Sequence, residues 1–387
     1  MHSPDLDAVR ASTEQEALSF VLMRGGTSKA VFLRGEDLPP PGMARDRLIL
    51  EVFGSPDPRQ VDGLGGADIL TSKLAIIDPP SVPDADLDYT FGQVSITEPV
   101  VDYDINCGNI SAAVGAFAVD EGLVEPREPV TLVRIHNTNT SRILVARVPV
   151  RDGRSVVGGD LSIDGVPGTG APIALDYRMT AGGITGALLP TGNPRDLLDT
   201  PIGPVEGTIV DLANLCVFVA ASAVGMTGTE GPNDATDIAA IIAVKEAAAR
   251  LLGIKPDGLT PIPAAVAAPV GYTGFGSGRK VAAADVDLVA RVVGGRPPML
   301  HKAYPGTVAA CTAVAACIPG STVAEVVRRG EGLFRIGHTS GVMEVRARVV
   351  VAGDTWRVEQ ASYDRTARRL AEGSTFVRRR EPTAAGS

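Results

Sequence analysis

Two Ala-rich segments, 108–123 and 307–318, are apolar around nearly the whole helical circumference. GNISAAVGAFAVDEGL and TVAACTAVAACI keep no polar face for water, so each must form a helix buried by the rest of the chain. The remaining sequence supplies the wrapping. Runs at 19–23, 30–33, 74–78, 88–96, 130–136 and 143–150 read as short strands, set apart by Gly, Pro, Asp and Asn. TIVDLA, CVFVAAS, AAVAAP, GVMEVRARVVVAG and TWRVEQASY repeat the theme in the second half. Two further segments carry helical spacing. One is 43–54; the other is 233–253, read as a solvent-facing helix with Asn233 or Asp234 as N-cap.

The two buried segments open alike. Cys107-Gly108-Asn109-Ile110-Ser111-Ala112-Ala113 parallels Pro305-Gly306-Thr307-Val308-Ala309-Ala310-Cys311, each about two thirds through its half. An internal duplication follows as the expectation. The fold class is α+β, with two pseudo-symmetric β-rich domains, each wrapped around a central helix. The boundaries are 1–190 and 191–378, with 379–387 as a disordered tail. A chain of 387 residues exceeds the size at which one core stops growing. Aromatics make up only 4%, so the cores must be built from Val, Ala, Leu and Ile.

A net charge of −9 argues against nucleic acid as a partner but not against a small anion held by a few local cations. No run of 18 apolar residues marks a membrane span, and the first twenty residues lack the apolar core of a signal peptide. A cytoplasmic protein is expected, with a homodimer left open. Cys216, Cys311 and Cys317 lie in apolar runs and read as core. HxH, HExxH, CxxC, P-loop and dinucleotide patterns are absent, so neither a metal nor a cofactor is expected.

Four segments carry candidate chemistry. In Met23–Lys29 the Gly-Gly-Thr-Ser turn presents N–H groups and the Thr27 and Ser28 hydroxyls. These suit a carboxylate, or else bond their own backbone. The loop 62–73 lets the backbone approach a ligand at Gly65 and Gly66, then delivers Ser72 and Lys73 to a strand entrance. A desolvated Lys can lose its proton near neutral pH, whereas Arg cannot, which makes Lys73 a candidate base. Asn106-Cys107-Gly108-Asn109 sets a thiol at a helix start, where anions are attracted and thiols acidified. Gly337-His338-Thr339-Ser340-Gly341 is a second Gly-bounded nest, in which His338 either binds a carboxylate as imidazolium or caps the turn. Two other loops stay ambiguous. LPTGNP (189–194) is an inter-domain crossing or a substrate loop, and 274–280 is a lid or a solvated loop.

RGGTSK (24–29), DGLGGADILTSK (62–73), FGQVSI (91–96), NCGN (106–109), LPTGN (189–193) and GHTSG (337–341) resemble, in order and spacing, the PrpF-like 2-methylaconitate cis-trans isomerase family. Its relatives include 4-oxalomesaconate tautomerases and 3-methylitaconate isomerases. The resemblance runs from about residue 17 to about residue 378. It implies a diaminopimelate-epimerase-like fold with the site between the halves, and a cofactor-independent isomerase of small unsaturated di- or tricarboxylates. Lys73 and Cys107 are then the acid/base pair. Thr27, Ser28, Gly65, Gly66, Ser72, Asn106, Gly108, Asn109, Lys302, His338, Ser340 and Gly341 would bind substrate. The more distant epimerases use two facing cysteines; here the second position is Pro305, which disfavours two-thiol racemisation.

Overall fold

The computed structural model describes residues 14–255, 259–295, 297–330, 332–353 and 355–378. The first half contributes seven long strands: β1 (Gln15–Gly25), β2 (Ser28–Arg34), β3 (Lys73–Asp78), β4 (Leu87–Val94), β5 (Val130–Asn137), β6 (Arg142–Arg151) and β7 (Ile173–Asp176). The second contributes β8 (Gly203–Leu212), β9 (Asn214–Ala220), β10 (Ile262–Ala267), β11 (Leu288–Gly294), β12 (Gly332–His338), β13 (Gly341–Ala352) and β14 (Thr355–Arg365). In each half consecutive strands pair in the same series: antiparallel, parallel, antiparallel, parallel, antiparallel, antiparallel. That identity of pairing is the duplication in structural form.

The helices obey the same series. α1 (Met43–Phe53) crosses from β2 to β3, as α3 (Ala239–Leu252) crosses from β9 to β10. α2 (Gly108–Asp120) crosses from β4 to β5, as α4 (Gly306–Ala316) crosses from β11 to β12. Parallel neighbours need such crossovers. Residues Gly108 to Val119 of α2 and all of α4 are buried, as their all-round apolar surface demands. β7 pairs with β14 and joins the two halves into one sheet. The last strand, β15 (Ala367–Arg378), returns to pair with β1, so the end of the chain completes the first half's sheet. Among the described residues no helix is long and apolar enough to cross a membrane.

Several expectations need correction. α3 begins at Ala239, after Ile238, without a side-chain cap. The Asp234 carboxylate instead accepts the Gly231 N–H in the preceding turn. Nor does α3 simply face solvent: Ile241, Val244, Ala247 and Ala248 bury one side against the second sheet. β11, β12 and β15 were not legible as strands. The 189–194 turn leads into the strand Asp196–Thr200, which hairpins onto β8, so it is the crossing between halves. The 274–280 loop is pinned by Phe275 N–H to Thr339 O (2.8 Å) and by Arg279 to Asp164. The proposed tail, 379–387, lies outside the described residues.

Candidate active site

The N-termini of α2 and α4 converge. Both open on a glycine because the Tyr363 hydroxyl fills the space between them; a methyl group on Gly108 or Gly306 would overlap it. Tyr363 stacks on Tyr177 with ring centroids 5.5 Å apart and hydroxyls 3.2 Å apart. Asn214, at the start of β9, bridges the halves. Its Oδ1 accepts the Asn106 N–H at 2.9 Å, and its Nδ2 donates to Asn106 O at 3.0 Å and Thr307 Oγ1 at 2.8 Å. Two helix starts held side by side aim unpaired backbone N–H groups and two positive dipole ends at one place, which favours an anion.

A cavity of about 80 Å³ lies there. From the first half it is lined by Ser28, Lys73, Gln93, Asn106, Cys107, Gly108 and Asn109. The second half adds Asn214, Ile262, Gly294, His301, Pro305 and Gly306. Lys73 opens β3 and is buried. Its Nζ donates to Gln93 Oε1 at 2.9 Å and sits 5.2 Å from the Phe91 ring centroid. Gln93 Nε2 donates to Ser72 O (3.0 Å) and Ile69 O (3.3 Å), which turns its carbonyl toward Lys73. Among the described residues no carboxylate forms an ion pair with Lys73. Cys107 is the N-cap of α2, its thiol buried against the same cavity.

The Thr27–Ser28 turn does not bond its own backbone through its hydroxyls. Asn109 Nδ2 donates to Thr27 Oγ1 (2.9 Å) and Ser28 Oγ (3.4 Å). Arg365 Nε in turn donates to Asn109 Oδ1 (2.8 Å), fixing which way that amide faces. Both hydroxyls thereby accept, and the Ser28 hydrogen is left to donate toward the cavity.

Sequence reasoning missed Gln93, Asn214, Arg365 and His301. His301 Nδ1 sits 2.8 Å from Ala303 O, leaving Nε2 for the cavity. Burial first, then the positive charge of Lys73, push this imidazole down to about 4, so it is neutral at pH 7. The one available signal was its position beside Lys302, just ahead of the second buried helix.

Other candidates lie outside this cavity. Lys302 forms an ion pair with Asp68 and so ties the second half to the loop that delivers Lys73. Ser340 Oγ donates to the Lys302 carbonyl. The Gly65 N–H is taken by Phe53 O (3.2 Å), Gly66 packs against Thr71, and Ser72 Oγ donates to Gln60 Oε1 (2.6 Å). Gly341 packs on Asp164, and its carbonyl accepts from the Tyr272 hydroxyl. His338 caps its own turn: Nδ1 accepts the Ser340 N–H at 3.2 Å. Thr27 and His338 open onto a second, larger cavity of about 380 Å³.

His338 carries a prediction. Burial, then Arg365 and Arg291, push it down to about 3, so it is neutral at pH 7 as it caps the turn. A depressed His pKa means the unfolded chain binds the proton that the folded chain refuses. The stabilising contribution is therefore complete above the unfolded value near 6.5 and is lost as pH falls toward 3. Between pH 7 and pH 5 this one group should cost about 2 kcal/mol. Unfolding free energies of wild type and His338→Gln from urea titrations, compared at both pH values, should differ in their change with pH by that amount. Equal changes would refute it.

Residues 15–378 match the family described as PrpF protein. The chain is 49% identical to 3-methylitaconate isomerase of Eubacterium barkeri, over 94% of this chain and 98% of that one. It is 42% identical to 2-methyl-aconitate isomerase of Shewanella oneidensis, over 93% and 96%. Among solved structures, methylitaconate-delta-isomerase superposes with a TM-score of 0.77 at 48% identity, covering 94% of this chain and 96% of that one. A hydroxyproline epimerase from Agrobacterium vitis shares the fold, with a TM-score of 0.58 at 12% identity over 96% and 94%. A full-length family match, the shared epimerase fold and near-half identity to a named isomerase all agree: this chain belongs to the PrpF family and is an isomerase.

Proposed function

We propose that the protein isomerises a small unsaturated di- or tricarboxylic acid by moving a proton, without a cofactor, and that Lys73 is the base. The observation that carries this reading is a single buried amine beside two converging helix N-termini. One substrate carboxylate sits on the N–H groups that open α2 and α4 and on the Ser28 hydroxyl. Lys73 Nζ takes a proton from the carbon allylic to the C=C. The electron pair left behind spreads over the C=C and onto the carboxylate, where the same N–H donors stabilise it. The ammonium then returns the proton. Return to the far carbon shifts the double bond; return to the original carbon after rotation changes cis to trans. The named substrates of the relatives support this class.

The test is proton NMR in D2O with methylitaconate, 2-methylaconitate, aconitate and 4-oxalomesaconate. At least one should convert, with solvent deuterium entering the product. Binding without exchange of any of them would make the protein a carboxylate binder and end this reading. Cys107 is assigned either the second protonation or the shaping of the anion site. Cys107→Ser separates these, because a hydroxyl is a far weaker acid than a thiol. An obligatory acid predicts lost product formation with deuterium still washing into substrate. A shaping role predicts that both rates fall together and modestly.

A further inference from the structure

The duplication places equivalent residues on opposite walls of one cavity, and the two walls differ in chemistry. Lys73 opens β3, beside Ala30 of β2 and opposite Gln93 of β4. Ile262 opens β10, beside Cys216 of β9. Continuing the β10–β11 register two places sets Ile262 opposite Gly294. Cys107 and Pro305 cap the paired helices, and Ser28 and Asn214 open β2 and β9. On the first-half wall the corresponding positions carry an amine, an amide and a thiol. On the second, Ile262, Gly294 and Pro305 carry a branched alkyl group, no side chain and a proline ring, while Asn214 keeps an amide where Ser28 has a hydroxyl. Leu259 and Val292 extend that apolar wall.

We propose that Ile262, standing at the mirror position of Lys73, determines specificity by seating an alkyl substituent of the substrate. The preferred substrate is then an unsaturated dicarboxylate bearing a methyl branch, not a tricarboxylate. This rests on the proton-transfer reading given above. A third carboxylate against Ile262 and Val292 would lose its hydration on alkyl groups. The polar side chains of that half offer it only the Asn214 amide, already donating to Asn106 and Thr307, and a neutral His301 imidazole, with no cation among the lining residues there. Lys302, just ahead of α4, is committed to Asp68.

The experiment compares kcat/KM for methylitaconate, itaconate and aconitate, each followed by NMR in D2O. Wild type should prefer methylitaconate over itaconate by at least about 10-fold, the usual worth of a seated methyl group, and over aconitate by more. Ile262→Asn should erase the methyl preference and raise the relative rate with aconitate. Ile262→Val is the milder second variant, safe for folding. It should shrink the methylitaconate-to-itaconate ratio about fourfold, one buried methylene's worth. Equal wild-type rates with aconitate and methylitaconate, or unchanged ratios in the Val and Asn variants, would overturn the role of Ile262 while leaving proton transfer intact. Absence of deuterium exchange with all three acids would overturn the role of Ile262, and proton transfer falls as well only if 2-methylaconitate and 4-oxalomesaconate also fail to exchange.

Discussion

Lys73→Ala is expected to lower turnover by about 100- to 10,000-fold, the usual effect of removing a positioned general base. The fold should survive. Lys73 pairs with Ala30 and Gln93 through its backbone, and that ladder does not depend on the side chain. What is lost is Nζ and its bond to Gln93 Oε1, about 1 kcal/mol of stability. Lys73→Arg is the sharper variant. It keeps the charge and can keep a bond to Gln93, but a guanidinium does not give up its proton at accessible pH. If charge alone served the reaction, Arg would rescue; if the free amine is needed, Arg should be as inactive as Ala. Near wild-type turnover by either variant on a verified substrate would remove Lys73 from the mechanism.

The second large effect is expected at Gly108. A methyl group there overlaps the Tyr363 hydroxyl and crowds Tyr177. Tyr363 cannot swing aside: its ring stacks on Tyr177 and lies 4.8 Å beneath the Arg365 guanidinium. The start of α2 must therefore shift, and it carries both Cys107 and the anion-binding N–H groups. Overpacking of this kind costs roughly 1–3 kcal/mol of stability. A displacement of about 1 Å at reacting groups can cost on the order of 100-fold in rate. Gly108→Ala should show both, read by urea unfolding and by kcat. Tyr363→Phe removes the overlapping oxygen, so the double variant should recover much of each loss. Strictly additive effects in that cycle would mean the two residues do not meet as described.

The sequence was informative wherever the signal was local. Buried helices advertised themselves by having no polar face, and the cluster Asn106-Cys107-Gly108-Asn109 is contiguous because a helix start needs only neighbours in the chain. β1 to β6 read as strands because their β-branched runs are short and bounded by turn residues. β15 did not, since most of its side chains stay outside the core. Its strand character comes from pairing with β1, a partner at the far end of the chain. His338 was open to two readings from sequence, because burial, which decides its charge, is not a local property.

From its sequence alone this chain was destined to bury two small-residue helices inside β-rich halves and to carry a thiol at the start of the first. Only the tertiary structure decided what faces them. The Asn106–Asn214 contact spans 108 residues, and Ile262 and His301 reach Lys73's cavity from the other half. Nothing in a local window encodes such meetings. They arise because β7 pairs with β14, which closes the two duplicated sheets so that one helix N-terminus meets the other. Side chains at mirror positions then share a single desolvated space, where the chemistry of each wall is felt by the same ligand.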